Sequence, residues 1–193
     1  MKHIFPSIRL TLWSIVFFCG VYTVVLVGIA QLAPNKGKGF ILGRDTMHRV
    51  PADKQYFYSN IGQKFTADRY FWSRPSAVDY NAAGSGGSNK GPSNPDYLAV
   101  VQERIDTFLA HNPGVSKSEI PVDLITASGS GLDPHISVKA AQVQAKRIAT
   151  FRGISEQQVN DLIQKNIERP LLGMFGPERI NALRLNIDLD NLK

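Results

Sequence analysis

The hydrophobic pattern opens on an uninterrupted block. LTLWSIVFFCGVYTVVLVGIAQLA, from Leu10 to Ala33, carries no charge. About 20 apolar residues suffice to cross a hydrocarbon core as a helix. A buried globular helix would show a polar face, and none interrupts this block. Ala30 and Ala33 stand one step too far apart for a signal-peptidase A-x-A site, so the pattern predicts an uncleaved span. The predicted organisation is a cytoplasmic amino terminus over 1–9, a transmembrane helix over 10–33 and a soluble extracytoplasmic domain over 34–193. Lys2 and Arg9 lie before the span and Lys36, Lys38, Arg44 and Arg49 after it. Charge alone is therefore nearly balanced, and the orientation rests on the tendency of long domains to translocate whatever their charge.

Beyond Pro34 and the NKGKG connection the period changes. Residues 40–71 mix aromatic and polar positions, which predicts short strands, for example over Tyr56–Ser59. Asn94 caps a helix whose first residue is Pro95. Leu98, Val101, Ile105, Phe108 and Leu109 give that helix one apolar face, and Asn112-Pro113-Gly114 stops it. Pro121–Thr126 reads as a strand. Ser137 caps a second helix bearing Ala141, Ala145, Ile148 and Phe151, with Gly153 as its stop. Ser155 and Gln158 form a capping box for a third, striped by Val159, Leu162 and Ile163 and ended by Pro170. The tail alternates Leu183, Leu185, Ile187 and Leu189 with polar residues and predicts a half-buried strand. The expected fold is a single N-terminal transmembrane helix plus a compact α+β (or α/β) soluble domain.

Composition narrows the functional classes. The chain is 43% hydrophobic and 20% charged, which suits a folded domain. Its net charge of +6 is scattered rather than clustered, which argues against a nucleic-acid partner. The only cysteine, Cys19, lies inside the apolar block, so no disulfide forms within the chain. His3, His48, His111 and His135 show no metal-binding spacing, and no metal ligands are assigned. A carbonyl-built potassium or sodium site would leave no residue signature.

Three stretches are candidates for chemistry. The first, YNAAGSGGSNKGPSNP over 80–95, holds Ser85, Gly86, Gly87, Ser88 and Asn89. A phosphate loop needs a glycine before its lysine, and Asn89 precedes Lys90. The Ser-Gly-Gly core is shared with the signature motif of ABC transporters, and successive amides there would bind an anion. An ordered surface turn is the alternative. The second, SGSGLDPHIS over 128–137, brings Ser130, Asp133 and His135 together in sequence. A nucleophile elbow requires G-x-S-x-G, and its first glycine is replaced by Ser128. A structural turn, or a partner contact, competes with a hydrolase here. In the third, Tyr70-Phe71-Trp72-Ser73-Arg74-Pro75-Ser76, the aromatics read as core rather than as a stacking platform.

FWSRPSA (Phe71–Ala77), SGGSNKGPSNP (Ser85–Pro95), PVDLITASGSGLDPHIS (Pro121–Ser137) and RINALRLNIDLD (Arg179–Asp190) occur in this order behind one span. Together they resemble the C subunit of the Kdp potassium-transporting ATPase of bacteria and archaea. The sequence departs from that family at Lys90, where an apolar residue is usual, and at Val138, where proline is common. Pro177 and Glu178 stand in reversed order. The resemblance implies a non-catalytic, single-span accessory subunit of the cell inner membrane. Its implied partners are a channel-like potassium-selecting subunit, a P-type ATPase subunit and a small single-span subunit. It also implies a catalytic-chaperone role that raises the ATP affinity of the ATPase subunit. ATP then enters through the complex, and this chain is assigned no cofactor of its own. Direct contact of ATP with Ser85–Asn89 is the alternative, and a membrane-anchored hydrolase is a third reading.

Overall fold

The computed structural model describes residues 3–43 and 56–192. Two compact units divide at Phe40 and Ile41. In the first, α1 (Ile4–Ile15) and α2 (Tyr22–Leu32) are joined through a π-helical turn at Val16–Val21. They make one continuous apolar rod, Ile4–Leu32, of 29 residues, with a mean hydropathy of 2.3 over an 18-residue stretch of it. That length and composition suit a bilayer crossing. The rod begins six residues before the uncharged block predicts, and it takes in Arg9. Pro34–Gly37 forms a 3-10 turn.

The second unit begins with a short antiparallel pair, β1 (Ile41–Gly43) and β2 (Tyr56–Tyr58). β2 falls where short strands are expected. Residues 59–94 then run without regular structure. Helix α3 (Pro95–His111) follows, and the Asn94 side chain accepts the Tyr97 N–H, as an N-cap should. Its Ile105 and Phe108 are buried, whereas Leu98 is exposed.

The segment expected as a strand over 121–126 is instead a 3-10 turn at Val122–Leu124. The physical reason is Asp123. Its carboxylate accepts the Ser137 N–H at 2.7 Å and the Ser137 hydroxyl at 3.1 Å, which ties the segment down by a side chain rather than a ladder. Val122 is consequently left exposed.

β3 (His135–Ile136) precedes α4 (Val138–Gln142) and α5 (Ala145–Arg152). The predicted second helix is thus two, and Phe151 is exposed rather than part of the core stripe. Ser137 caps the first and a left-handed Gly153 stops the second. Helix α6 (Glu156–Lys165) opens on the expected Ser155–Gln158 capping box. It ends at Asn166, before Pro170, because β4 (Ile167–Glu168) begins there. β5 (Arg179–Asn181) lies between β3 and β4, antiparallel to both.

The tail is not a strand but helix α7 (Ala182–Asp190), capped by Asn181. Ala182, Leu183, Leu185, Asn186 and Leu189 are buried, and Ala182, Leu185 and Leu189 join the main core. Their spacing is helical once Asn186 is counted as an inward residue.

One core joins α3 through α7 around Phe71, Ile136, Ile148, Ile163, Ile180, Leu185 and Leu189. The irregular segment reaches this core without a strand partner. The Asn186 side chain takes the Phe71 N–H at 2.8 Å and donates to the Phe71 carbonyl at 2.9 Å. Gln144 Oε1 takes the Trp72 N–H at 2.8 Å. Arg147 supports Gln144 at 2.7 Å and donates to Asn112 at 3.0 Å and to the Asp68 carbonyl. Its guanidinium lies 4.7 Å from the Trp72 ring centroid. Burial pulls the Arg147 pKa down to about 10, against the opposing pull of Asp68, so the group stays charged near neutrality.

Candidate functional site

The anchored Phe71-Trp72 pair delivers the next residues, Arg74 to Asn89, onto the turn at 128–133. All three candidate stretches therefore meet. Ser128 N–H donates to the Pro75 carbonyl at 3.2 Å. The Ser76 hydroxyl donates to the Gly131 carbonyl at 2.7 Å and accepts the N–H groups of Val78 and Tyr80. The Gly86 N–H and the Ser85 hydroxyl both donate to the Ser130 carbonyl, at 2.9 and 3.0 Å.

Glycine makes this fit possible. Gly131 has φ +70, and a Cβ there would stand 2.6 Å from Val78 Cγ2 and 2.8 Å from the Gly86 carbonyl oxygen. A Cβ on Gly87 would come within 3.2 Å of the Gly129 carbonyl oxygen. The two loops are thus apposed backbone to backbone, and a side chain at Gly131 would force them apart.

Ser88, Asn89 and Lys90 remain on the exposed side of the joint. Asn89 adopts a left-handed conformation, φ +52, and Lys90 approaches Asp96 at 3.6 Å. No helix opens at Lys90, since α3 starts at Pro95.

On the other candidate stretch, Ser130 is not paired with His135. Its hydroxyl accepts the Leu132 N–H at 3.1 Å, a local turn bond. Asp133 accepts the His135 N–H at 3.0 Å and faces His135 Nδ1 at 3.3 Å. His135 Nε2 faces Glu168 Oε2 at 3.4 Å. In a hydrolytic triad that nitrogen would address the nucleophile. Here it addresses a second carboxylate.

Arg74 and Arg179 extend the line to five side chains, Arg74, Asp133, His135, Glu168 and Arg179. Arg74 pairs with Asp133 at 3.1 Å and Arg179 with Glu168 at 3.2 Å. Burial raises the Asp133 pKa, but the His135 ring and backbone bonds and the Arg74 charge outweigh it and hold the carboxyl at about 2. The Tyr80 hydroxyl donates to the Arg74 carbonyl. Burial pushes its pKa up to about 12, partly opposed by Ser73 and Arg74.

Arg74, Ser76, Tyr80, Glu168 and Arg179 are the site residues that periodicity does not single out. The signal for Arg74 and Ser76 was their place in the FWSRPSA block. Beside the joint lies a cavity of about 530 Å³, whose walls include Trp72, Arg74, Tyr80, Arg104, Phe108 and His111. Among the described residues no three His, Cys, Asp or Glu side chains converge closely enough to hold a metal ion.

The chain matches the family model described as "KdpC: K+-transporting ATPase, c chain" over residues 4–191. A Flavobacterium psychrophilum protein is 52% identical over 193 residues, covering all of both chains. A Flavobacterium johnsoniae protein is 51% identical over the same full span, and one from Bacteroides thetaiotaomicron 47% over 196 residues, again with full coverage of both. Each bears the name potassium-transporting ATPase KdpC subunit. The coverage takes in the apolar rod, the joined loops and α7 alike, and on it the chain belongs to the KdpC family, the c chain of the K+-transporting ATPase, an accessory subunit carrying one candidate membrane helix among its described residues.

Proposed function

We propose that the chain is a single-pass accessory subunit of a high-affinity, ATP-driven potassium uptake complex in the cell inner membrane. Its amino terminus is cytoplasmic and its domain, 34–193, extracytoplasmic. It stabilises the assembly with the channel-like and P-type ATPase subunits and raises the ATP affinity of the latter.

The observation that supports this reading is the joint between Ser85–Gly87 and Ser128–Gly131. The Gly86 amide and the Ser85 hydroxyl are spent on the chain's own Ser130 carbonyl. An anion cradle needs such donors free and convergent. A rigid joint that displays Ser88, Asn89 and Lys90 outward suits a protein contact instead. ATP affinity then rises by linkage: a subunit that binds one conformational state better shifts the whole complex toward it.

The deciding experiment is a topology reporter fused after Lys193, read together with ATP dependence of the assembled complex. An extracytoplasmic reporter is expected, with a higher KM for ATP in a complex carrying Ser88→Ala and Lys90→Ala. A cytoplasmic reporter, or an unchanged KM, would sink this reading.

A further inference from the structure

Between β4 and β5 the chain leaves the sheet at Pro170 and returns at Arg179. A tight turn closes the excursion, with an antiparallel bridge between Leu171 and Phe175 and the Phe175 N–H donating to the Leu171 carbonyl at 3.1 Å. Four large apolar side chains stand on this turn. Leu171, Leu172, Met174 and Phe175 are 71, 77, 75 and 64% exposed. The turn is not shaped by burying them. Leu172 is held at φ +54, a conformation that is costly for a residue other than glycine. An apolar cluster of this kind on a domain surface marks an interaction site.

The charges around it are one-sided. Between residues 165 and 184 stand four cations, Lys165, Arg169, Arg179 and Arg184, against two carboxylates, Glu168 and Glu178. Among the described residues, only Arg179 of the four has an ion-pair partner.

We propose that this turn is an interfacial membrane anchor. Leu171, Leu172, Met174 and Phe175 enter the boundary between headgroups and acyl chains of an anionic bilayer, and Arg169 and Arg184 meet the lipid phosphates. Charge complementarity favours lipid over a protein socket, because the flanking segments carry three cations, Lys165, Arg169 and Arg184, with no ion-pair partner among the described residues, and such charge beside an apolar turn matches an anionic interface. The chain also carries its own bilayer-length helix, Ile4–Leu32. A second, weak membrane contact on a tethered domain gains from high effective concentration. The inference rests on membrane anchoring of the chain and not on its role in the ATPase.

The test uses the full-length chain with Cys19→Ala, in vesicles of phosphatidylcholine and phosphatidylglycerol. A nitroxide is placed on Leu172→Cys or Met174→Cys, with Ser118→Cys, exposed elsewhere on the domain, as the aqueous reference. Both turn positions are exposed, so the substitutions spare the core, and two positions guard against a local effect. The labels at 172 and 174 are expected to collide more often with oxygen than with a water-soluble nickel chelate, and the label at 118 the reverse. Arg169→Gln with Arg184→Gln, or vesicles of phosphatidylcholine alone, should return the turn toward the aqueous value. Labels at 172 and 174 as chelate-accessible as at 118 in the anionic vesicles would overturn the proposal. So would shielding that arises only when the other ATPase subunits are present, which would assign the turn to a protein socket.

Discussion

Asn186 and Asp133 carry consequences out of proportion to their size. Asn186 is buried among Leu185, Leu189 and Phe71, where an unpaired amide would be costly, and it answers both backbone groups of Phe71. Replacing it with alanine orphans a buried donor and a buried acceptor together. Asn186→Ala is therefore expected to destabilise the domain by about 3 kcal/mol, read as a lower denaturation midpoint. Asp133 sets a pH dependence. Its folded pKa of about 2 lies below the ordinary 3.8. The ionised carboxylate thus contributes stability in full above about pH 4, and the contribution is lost as the pH falls toward 2. In Asp133→Asn the slope of stability against pH over that interval should flatten, which acid titration followed by circular dichroism checks. An unchanged slope would show that Asp133 does not set this pH dependence.

Helix boundaries were the most legible elements because they are written in single capping residues. Asn94, Ser137 and Ser155 each do locally what their chemistry prescribes. Ser155→Ala removes the half of the α6 capping box in which the Ser155 hydroxyl accepts the Gln158 N–H, while Gln158 Oε1 can still take the backbone N–H of residue 155, and it should cost about 1 kcal/mol, with amide exchange rising first in the opening turn of α6. The tail was misread for a specific reason. Leu183, Leu185, Ile187 and Leu189 alternate, but the stripe that faces the core is Ala182, Leu185, Asn186 and Leu189. A hydropathy pattern counts Asn186 as solvent-facing, and only its bond to Phe71, distant in sequence, turns it inward. The strand expected over 121–126 failed likewise through one polar residue, Asp123, which spends its carboxylate on Ser137. In the site, Ser85–Asn89 and Ser130–His135 were legible as separate stretches. Their apposition was not, since it depends on backbone-to-backbone contact at Gly87 and Gly131 that no local pattern encodes. Glu168 and Arg179 were invisible for the same cause: they reach His135 only through the pairing of β3, β5 and β4.

At the scale of the whole molecule, the amide clasp decides what can fold without what. The segment 59–94 has no ladder of its own and is held by Gln144, Arg147 and Asn186 together with its joint to 128–132. Removing residues 182–193 is expected to leave the joined loops undocked, with rapid proteolysis between 59 and 94 in a chain still held by its apolar rod. Resistance of that segment would show that Gln144 and Arg147 suffice. The same clasp also imposes a clock. Phe71 and Asn186 are 115 residues apart, and a growing chain lengthens by about 5–20 residues per second. On the order of ten seconds must therefore pass between the synthesis of Phe71 and that of its partner. Trp72 is claimed sooner, once Gln144 is made, so the docking of this segment waits longest at Phe71, whose partner is made last.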